Sequence, residues 1–549
     1  MNVDELFKPH SSAVKRKYEA SDAEQIYKSA KLNNGESPNA NRATVEEGDE
    51  NDDVEAGPSL PPGDQDEDEE GRFFGGGVTK DTEEAMEYID QQDGEEITEE
   101  RIDSAWLRRL ATTFEKKVAK NSEMRAKYDG QPQKFMGSEA DLDAEVKSWS
   151  MLGEHPELFE EFAESGSAAS LVGLLAHENT DIAIGAIEII SELLDEDVEA
   201  EVNQWDALVN ALLEADLLEL LMSNLKRLDE TLESDRSGVY HSLAVMESLS
   251  GQQAIAEKVG QEKVLLWLCK RITNPESPLG QNKQYAAEVL QVLLQSSPLL
   301  RKRLALDVDG VDLFLQLLAA YRKRDPAKDS LEEEFAENLF DALTCTVDEP
   351  DGKTRFIEAE GVELCLIMLK EGSMSKLRAL RVLDHAMGGQ SQASANVCEK
   401  FVDAAGLKTI FSTFMKKSDN TTIEHILGVF SSLLRLLPGE SAARIRTLAK
   451  FLEKDGEKIN KLIKLRLDYA EKAAASEDDD IAVEFCLRSI DVILAWLVAE
   501  EKTAKDQILK HIQADVLKHS LTGQMEDLDP DAPGEADTQE MLSTLASFL

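Results

Sequence analysis

Apolar residues recur at helical spacing along most of this chain. Ile182, Ala186 and Ile190 follow one another at steps of four residues, and Phe335 and Leu339 do the same in a later segment. Steps of this size place the side chains on one face of a helix. No stretch of useful length alternates between apolar and polar positions as a half-buried strand would. The pattern therefore predicts an all-α protein.

The predicted helices fall into six segments that share one layout. Each segment has a small or turn residue, an apolar helix, a polar loop and a second, longer apolar helix. The turn residues recur at intervals of about 45 to 51 residues and are Gly166, Ala215, Gly260, Gly310, Gly361 and Gly406. Self-similarity at such a period is typical of stacked helical repeats. The sequence thus predicts an armadillo- or HEAT-like α-solenoid with about six repeats over residues 161–440.

Regions without this period flank the predicted repeats. Residues 81–160 include a charged helix with one apolar stripe through Ile102, Trp106 and Leu110, which predicts a helical N-terminal cap. Residues 441–549 stay helical but lose the period, which predicts a C-terminal helical region that closes the array. Caps are expected because a terminal repeat would otherwise expose its apolar face.

Residues 1–80 have the composition of a disordered acidic arm. Few of them are apolar, so burial could not offset the entropy lost on ordering. Residues 46–70 contain 13 acidic side chains and neither lysine nor arginine. The arm also contains a short basic cluster, Lys15, Arg16 and Lys17, which is either a nuclear localisation signal or an incidental triplet.

The overall charge changes the expected class of partner. The chain has 59 lysines and arginines against 109 aspartates and glutamates, a formal net charge of −50. A body this acidic repels phosphate backbones, so we expect no direct binding of nucleic acid and a preference for basic protein partners.

Compartment signals agree with an intracellular location. Five scattered cysteines without a C-x-x-C pair predict reduced thiols in the cytosol or nucleus. The N-terminus lacks the apolar region of a signal peptide. The sequence also has no run of about 18 uncharged apolar residues, so we expect no membrane span.

Motifs for catalysis or cofactor binding are not found in the sequence. It has no nucleophile elbow, phosphate-binding loop, paired-histidine zinc motif or dinucleotide fingerprint. His385, beside Asp384, is the histidine most suited to proton transfer. A histidine on a repeat helix is, however, more often a buried or surface residue with no catalytic role. We therefore expect no enzyme activity, no cofactor and no metal site.

The second helices of the repeats offer a candidate binding groove. Aligning them by their apolar residues places six residues in equivalent slots, namely Ser191, Glu247, Gln291, Asp341, Asp384 and Ser431. With neighbours one position or one turn away, the candidate groove residues are Glu192, Glu247, Glu288, Glu337, Asp341, Asp384 and His385. Carboxylates in a concave row would bind an extended segment rich in lysine and arginine. The alternative is that they are only the solvated face of amphipathic helices.

Several longer runs within about residues 100–470 carry a more specific resemblance. They include LATTFEKKVAKNSEMRAKYDGQPQKFMGSEADLD at 110–143, LVGLLAHENTDIAI at 171–184 and FVDAAGLKTIFSTFMKK at 401–417. These runs resemble the beta-catenin-like protein 1 family of armadillo-type nuclear proteins. The resemblance implies a nuclear adaptor of the spliceosome-associated nineteen complex. It further implies binding to basic, nuclear-localisation-type segments of partners, notably the Myb-like splicing factor of that complex.

Two features depart from that family, and two other function classes stay open. The basic tract is thin, with only residues 15–17, and the likeness fades after about residue 470. A transport carrier of the importin-α kind would also hold basic peptides, but it should repeat Trp-Asn pairs along its groove helices. Here Trp267 lies on a first helix and no such array is present. An enzyme or enzyme regulator is the third class, and no motif supports it.

Overall fold

The computed structural model describes residues 101–417, 419–475, 481–529, 532 and 534–549. The predicted arm of residues 1–80, its basic cluster Lys15, Arg16 and Lys17, and residues 81–100 of the predicted N-terminal cap lie outside the described residues. Contacts divide the chain into two units, and the architecture below is that of the unit Leu110–Leu549.

All regular structure in the described residues is helical. The first two α-helices are α1 Ser104–Lys127 and α2 Met136–Lys147. The next nine are α3 Phe159–Glu164, α4 Ser167–Gly173, α5 Thr180–Leu193, α6 Val202–Glu214, α7 Leu217–Leu225, α8 Glu233–Leu249, α9 Gln253–Val259, α10 Glu262–Thr273 and α11 Gln281–Ser296. They are followed by α12 Pro298–Asp307, α13 Gly310–Leu318, α14 Leu331–Asp348, α15 Pro350–Glu358, α16 Gly361–Glu371, α17 Met374–Met387, α18 Gln392–Asp403, α19 Gly406–Met415 and α20 Asn420–Leu436. The last five are α21 Ala442–Ala475, α22 Ile481–Glu500, α23 Lys502–Ile508, α24 Ala514–Glu526 and α25 Glu535–Phe548.

From α3 onward the helices are grouped in threes. Each repeat has a first helix, a second helix and a third helix that packs on the third helix of the next repeat. The layer of third helices is formed by α5, α8, α11, α14, α17, α20 and α22. This arrangement confirms the predicted all-α armadillo-type solenoid. The sequence predicts two helices per repeat, and these correspond to the second and third helices of each repeat in the structure. The additional first helix was not predicted, because helices such as α12 mix buried apolar residues with a buried cation, Arg301.

Beyond residue 440 the stack continues for one more triplet. Helix α21 is broken at residues 453–456, where Lys454, Asp455 and Gly456 adopt left-handed φ values of 56°, 58° and 73°. Its two halves and α22 take the places of the three helices of a repeat, and α22 packs on α20. Within this triplet Arg466 Nε donates to Asp491 Oδ1 at 2.7 Å, and both side chains are buried.

The glycines that begin the second helices are needed for packing rather than for the turn itself. The left-handed residue comes one position earlier, at Glu360 with φ 58° and at Ala405 with φ 61°. A Cβ added to Gly361 would lie 2.2 Å from the ring of Phe356, and one added to Gly406 would meet Phe401 at 2.7 Å. The missing side chain lets the first and second helices of a repeat approach closely at their elbow.

Buried basic side chains complete the C-terminal ends of several third helices. Arg301 Nε donates to Leu294 O at 2.7 Å, at the end of α11, and Lys353 Nζ donates to His385 O at 2.7 Å, at the end of α17. Arg444 reaches the last turn of α20 in the same way. The last carbonyls of a helix have no partner within the helix and carry partial negative charge, so these cations stabilise the helix ends.

The C-terminal helices cover the last third helix. Helices α24 and α25 pack on α22 through a buried apolar cluster of Val492, Ala495, Leu521, Leu542, Leu545 and Ala546. Gln390, which follows α17, donates from Nε2 to Gly534 O at 2.7 Å and to Thr538 Oγ1 at 2.6 Å. The α25 segment is therefore anchored both to the end of the stack and to an earlier repeat.

Candidate protein-binding groove

The third helices bring the predicted slot residues into one layer. Ser191 and Gln291 are buried there, whereas Glu247, Asp341, Asp384 and Ser431 are half-buried. Because consecutive third helices pack side by side, a slot on one helix faces the matching region of the next. The slot residues thus lie at the interfaces between neighbouring third helices, which are called seams below. The contacts across each seam decide which carboxylates can meet a partner.

Arginines cross the seam between α14 and α17. Glu337 forms an ion pair with Arg378, and Asp341 forms one with Arg381. Burial lowers the pKa of Arg381 to about 10, which leaves its guanidinium charged at neutral pH. Both acids lie on the third-helix layer, and cations from the next repeat already neutralise part of their charge.

Asp384 and His385 are adjacent on α17 and contact opposite neighbours. The Asp384 carboxylate lies 3.0 Å from Nδ1 of His425 on α20. The His385 ring Nδ1 lies 3.4 Å from Asp348 Oδ1 at the end of α14. The two residues thus join three consecutive third helices. His385 contacts an acid other than its chain neighbour, and its side chain is only 9% exposed.

A glycine on α20 makes room for the Asp384 carboxylate. A Cβ added to Gly428 would lie 2.1 Å from Asp384 Oδ1, closer than any side chain tolerates. Glycine is unfavourable inside a helix, by up to about 1 kcal/mol relative to alanine. The absence of a side chain at Gly428 leaves the space that the Asp384 carboxylate occupies.

Neutral groups meet the predicted acids nearer the N-terminal end of the layer. Tyr285 on α11 donates its hydroxyl to Glu247 Oε2 on α8 at 2.5 Å. Gln284 donates to Glu288 Oε2 at 3.1 Å on the same helix. Glu192 on α5 is exposed, and across the described part of the chain it has no ion pair. At this end of the layer, carboxylate oxygens of Glu247 and Glu288 therefore accept hydrogen bonds from neutral side chains.

The geometry suits an extended segment that crosses the layer. Packed helices lie about 8–10 Å apart, and an extended chain advances about 3.3 Å per residue. A segment running across the third helices would pass one helix about every three residues. Its basic side chains could then meet Glu192, Glu247 and the acids of the later seams in turn.

The sequence pattern indicated the acids but not the side chains that oppose them. Arg378, Arg381 and His425 contact acids that lie 41, 40 and 41 residues earlier in the chain. A signal was present, because each pair is separated by roughly one repeat and each member lies on a third helix. A basic residue about 40 positions after a groove acid marks each of these three contacts.

Metal-binding clusters and membrane-spanning helices are both absent from the part of the chain that is described. No group of three histidine, cysteine, aspartate or glutamate side chains there is placed to hold a metal ion. None of the helices there combines the length and the apolar character that crossing a bilayer requires. The five cysteines, Cys269, Cys345, Cys365, Cys398 and Cys486, are buried and form no disulfide.

The fold and the third-helix layer define an armadillo-type α-solenoid, a class that presents extended surfaces to protein partners. Residues 83–484 match the family described as "Catenin-beta-like, Arm-motif containing nuclear". The chain belongs to this family of nuclear armadillo proteins, as the resemblance in its sequence indicated.

Relatives from distant organisms match most of the chain. The beta-catenin-like protein 1 homolog of Schizosaccharomyces pombe is 36% identical over 464 residues, which cover 80% of this chain and 81% of the relative. The human beta-catenin-like protein 1 is 36% identical over 418 residues, covering 71% and 73% respectively. Among solved structures, a chain from work on the interaction between cadherin and beta-catenin covers 81% of this chain and 92% of that chain, at 12% identity and a TM-score of 0.48.

Proposed function

We propose that this protein is a non-enzymatic nuclear scaffold of the pre-mRNA splicing machinery. In this role it is an adaptor of the spliceosome-associated nineteen complex and binds basic, nuclear-localisation-type segments of its partners. The Myb-like splicing factor of that complex is the partner that the family resemblance implies. The basic cluster Lys15, Arg16 and Lys17 would direct import into the nucleus.

The observation that carries this proposal is the series of carboxylates on consecutive third helices. They lie on one layer, at a spacing that an extended chain can follow, in a protein whose net charge is −50. Charge-assisted hydrogen bonds from lysine and arginine to such carboxylates supply both affinity and register. The internal arginines add a condition: an incoming basic segment competes with Arg378 and Arg381 for the same carboxylates.

Because of this competition, removing the acids and removing the arginines of the same seam should change the affinity for a basic peptide in opposite directions. A labelled peptide rich in lysine and arginine is titrated with the full chain, and its binding is followed by fluorescence anisotropy. Glu337→Gln with Asp341→Asn should weaken binding about fivefold, because two acceptors lose their charge. Arg378→Gln with Arg381→Gln should tighten it by a similar factor, because the acids lose their internal cations. Both effects should shrink in high salt.

The partner is tested separately, by purifying the tagged full chain from nuclear extract. Recovery of the Myb-like factor and other nineteen-complex subunits, reduced by Glu337→Gln with Asp341→Asn, is the expected result. Equal recovery from both double variants would move the binding surface away from this seam. Recovery of transport factors with diverse cargo and no splicing subunits would contradict the splicing role.

A further inference from the structure

A lysine-lined pocket lies at the N-terminal end of the third helix α20. Its cavity measures about 600 Å³ and opens between Lys416 and Lys417 after α19, the start of α20 and the second half of α21. Four of its lining residues are lysines, Lys416, Lys417, Lys461 and Lys472, against two acidic ones. In a chain where acids outnumber bases by 109 to 59, this local excess of positive charge is opposite to the protein as a whole.

The lysines at the rim keep their charge available. Lys416, Lys417 and Lys472 are exposed and take part in no ion pair among the residues that the structure describes. Other lysines of this protein do pair with carboxylates, as Lys400 pairs with Glu363 at 2.5 Å. An anionic group entering the pocket would therefore gain attraction without displacing an internal partner.

The floor of the pocket is apolar and held in place. It contains the buried side chains of Ile423 and Tyr469, and the ammonium group of Lys472 lies 4.9 Å from the centre of the Tyr469 ring. Lys461 Nζ donates to Lys416 O at 2.9 Å, which holds Lys416 against α21. Burial lowers the pKa of Lys461, so a nearby anion would stabilise its charged form.

We propose that this pocket binds a short acidic segment of a partner protein. Carboxylates of the segment would lie against Lys416, Lys417 and Lys472, and one apolar side chain would rest on the floor formed with Tyr469. A nucleic acid fits less well, since its long phosphate chain would pass over the acidic surroundings, whereas a short peptide mainly feels charges within about 8–10 Å. The scaffold would then hold segments of opposite charge at two separate sites.

The test uses the full chain and a labelled ten-residue peptide of Asp and Glu around one central Leu. Binding is measured by fluorescence anisotropy at low salt. We expect binding that weakens at least tenfold in Lys416→Glu with Lys472→Glu, and by a smaller factor in Lys417→Gln. A peptide with Gln and Asn in place of the acids should not bind. Carbodiimide cross-linking should join the acidic peptide to the pocket lysines.

The matched control changes the same charge at two exposed lysines elsewhere, Lys302→Glu with Lys328→Glu, whose side chains are 59% and 86% exposed. This variant should bind the peptide as the unaltered chain does. Equal weakening in both double variants would reduce the effect to general charge attraction. Absence of binding at millimolar peptide, or cross-links from the pocket lysines only to acids of the same chain, would overturn the proposal. Circular dichroism melts check that each variant is folded.

Discussion

Lys353 shows how a single ionisable group is used inside the stack. Its side chain is 2% exposed, and its Nζ donates to His385 O at 2.7 Å and to Gly388 O at 3.0 Å. Burial lowers its pKa to about 8, although the nearby acids Asp348 and Glu349 act in the opposite direction. The folded protein therefore releases this proton at a lower pH than the unfolded chain does.

This difference predicts that Lys353 contributes more stability in mild alkali than at neutral pH. Between pH 8 and the ordinary lysine pKa near 10.5, this side chain binds more protons in the unfolded state, so its contribution to the free energy of unfolding rises with pH. From pH 7.5 to 9.5 the contribution of Lys353 should be about 2 kcal/mol. Denaturant unfolding at the two pH values measures it.

The control for this prediction is a lysine at the surface. Lys353→Met should lack this contribution, so from pH 7.5 to 9.5 its free energy of unfolding should fall behind that of the unaltered chain by about 2 kcal/mol, whereas Lys302→Met, at a position 59% exposed, should follow the unaltered chain. The same pH dependence in both variants would mean that folding does not lower the pKa of Lys353.

At the scale of the element, the elbow between first and second helices sets the shape of a repeat. Helix α16 begins at Gly361 directly after the left-handed residue Glu360, and the ring of Phe356 on α15 fills the space where a side chain would stand. Phe356 is fully buried. The glycine therefore allows two helices to turn sharply and still share a core.

Gly361→Ala should destabilise the protein by about 1–3 kcal/mol, because the added methyl group overpacks against Phe356. Gly523→Ala is the matched control, since nothing lies within 4 Å of a Cβ at that position in α24. It should be neutral or stabilise by up to about 1 kcal/mol through helix propensity. Thermal unfolding compares the two, and equal melting temperatures would refute the packing explanation.

At the scale of the whole molecule, each repeat is stabilised mainly by its contacts with the neighbouring repeats. Each third helix packs mainly on the third helices before and after it, and α22 is covered by α24 and α25. In such an array the loss of an end element is felt mainly by the parts it contacts, here α22 and the segment at Gln390 after α17. The C-terminal helices should therefore stabilise α22 far more than the middle of the stack.

Leu542→Ala with Leu545→Ala tests this, since both side chains are buried against α22 and α24. Each truncation costs about 2–5 kcal/mol where the leucine packs. Hydrogen exchange followed by mass spectrometry should show faster exchange in α24, α25 and α22, with α11 unchanged. Leu339→Ala, in the middle of the stack on α14, should instead accelerate exchange there. Uniform acceleration by the C-terminal pair would show that the array unfolds as one unit.

Much of this protein is determined by its sequence alone. Helical spacing of apolar residues and a period of about 45 to 51 residues are enough to predict a solenoid, because each residue's face on a helix follows from local geometry. The same spacing predicts equivalent positions on successive helices for Glu247, Asp341 and Asp384. The longer runs were specific enough to indicate the family.

Only the tertiary structure decided which charges are available. Arg381 neutralises Asp341 from about 40 residues away, while Lys416 and Lys472, 56 residues apart, meet at one pocket. Helical periodicity assigns a side chain to a face, but its partner depends on how the next repeat is aligned in the stack. That alignment is set by packing at elbows such as Gly361 with Phe356. It pairs acids of one third helix with basic residues of the next, and it brings lysines of an acidic chain together at one pocket.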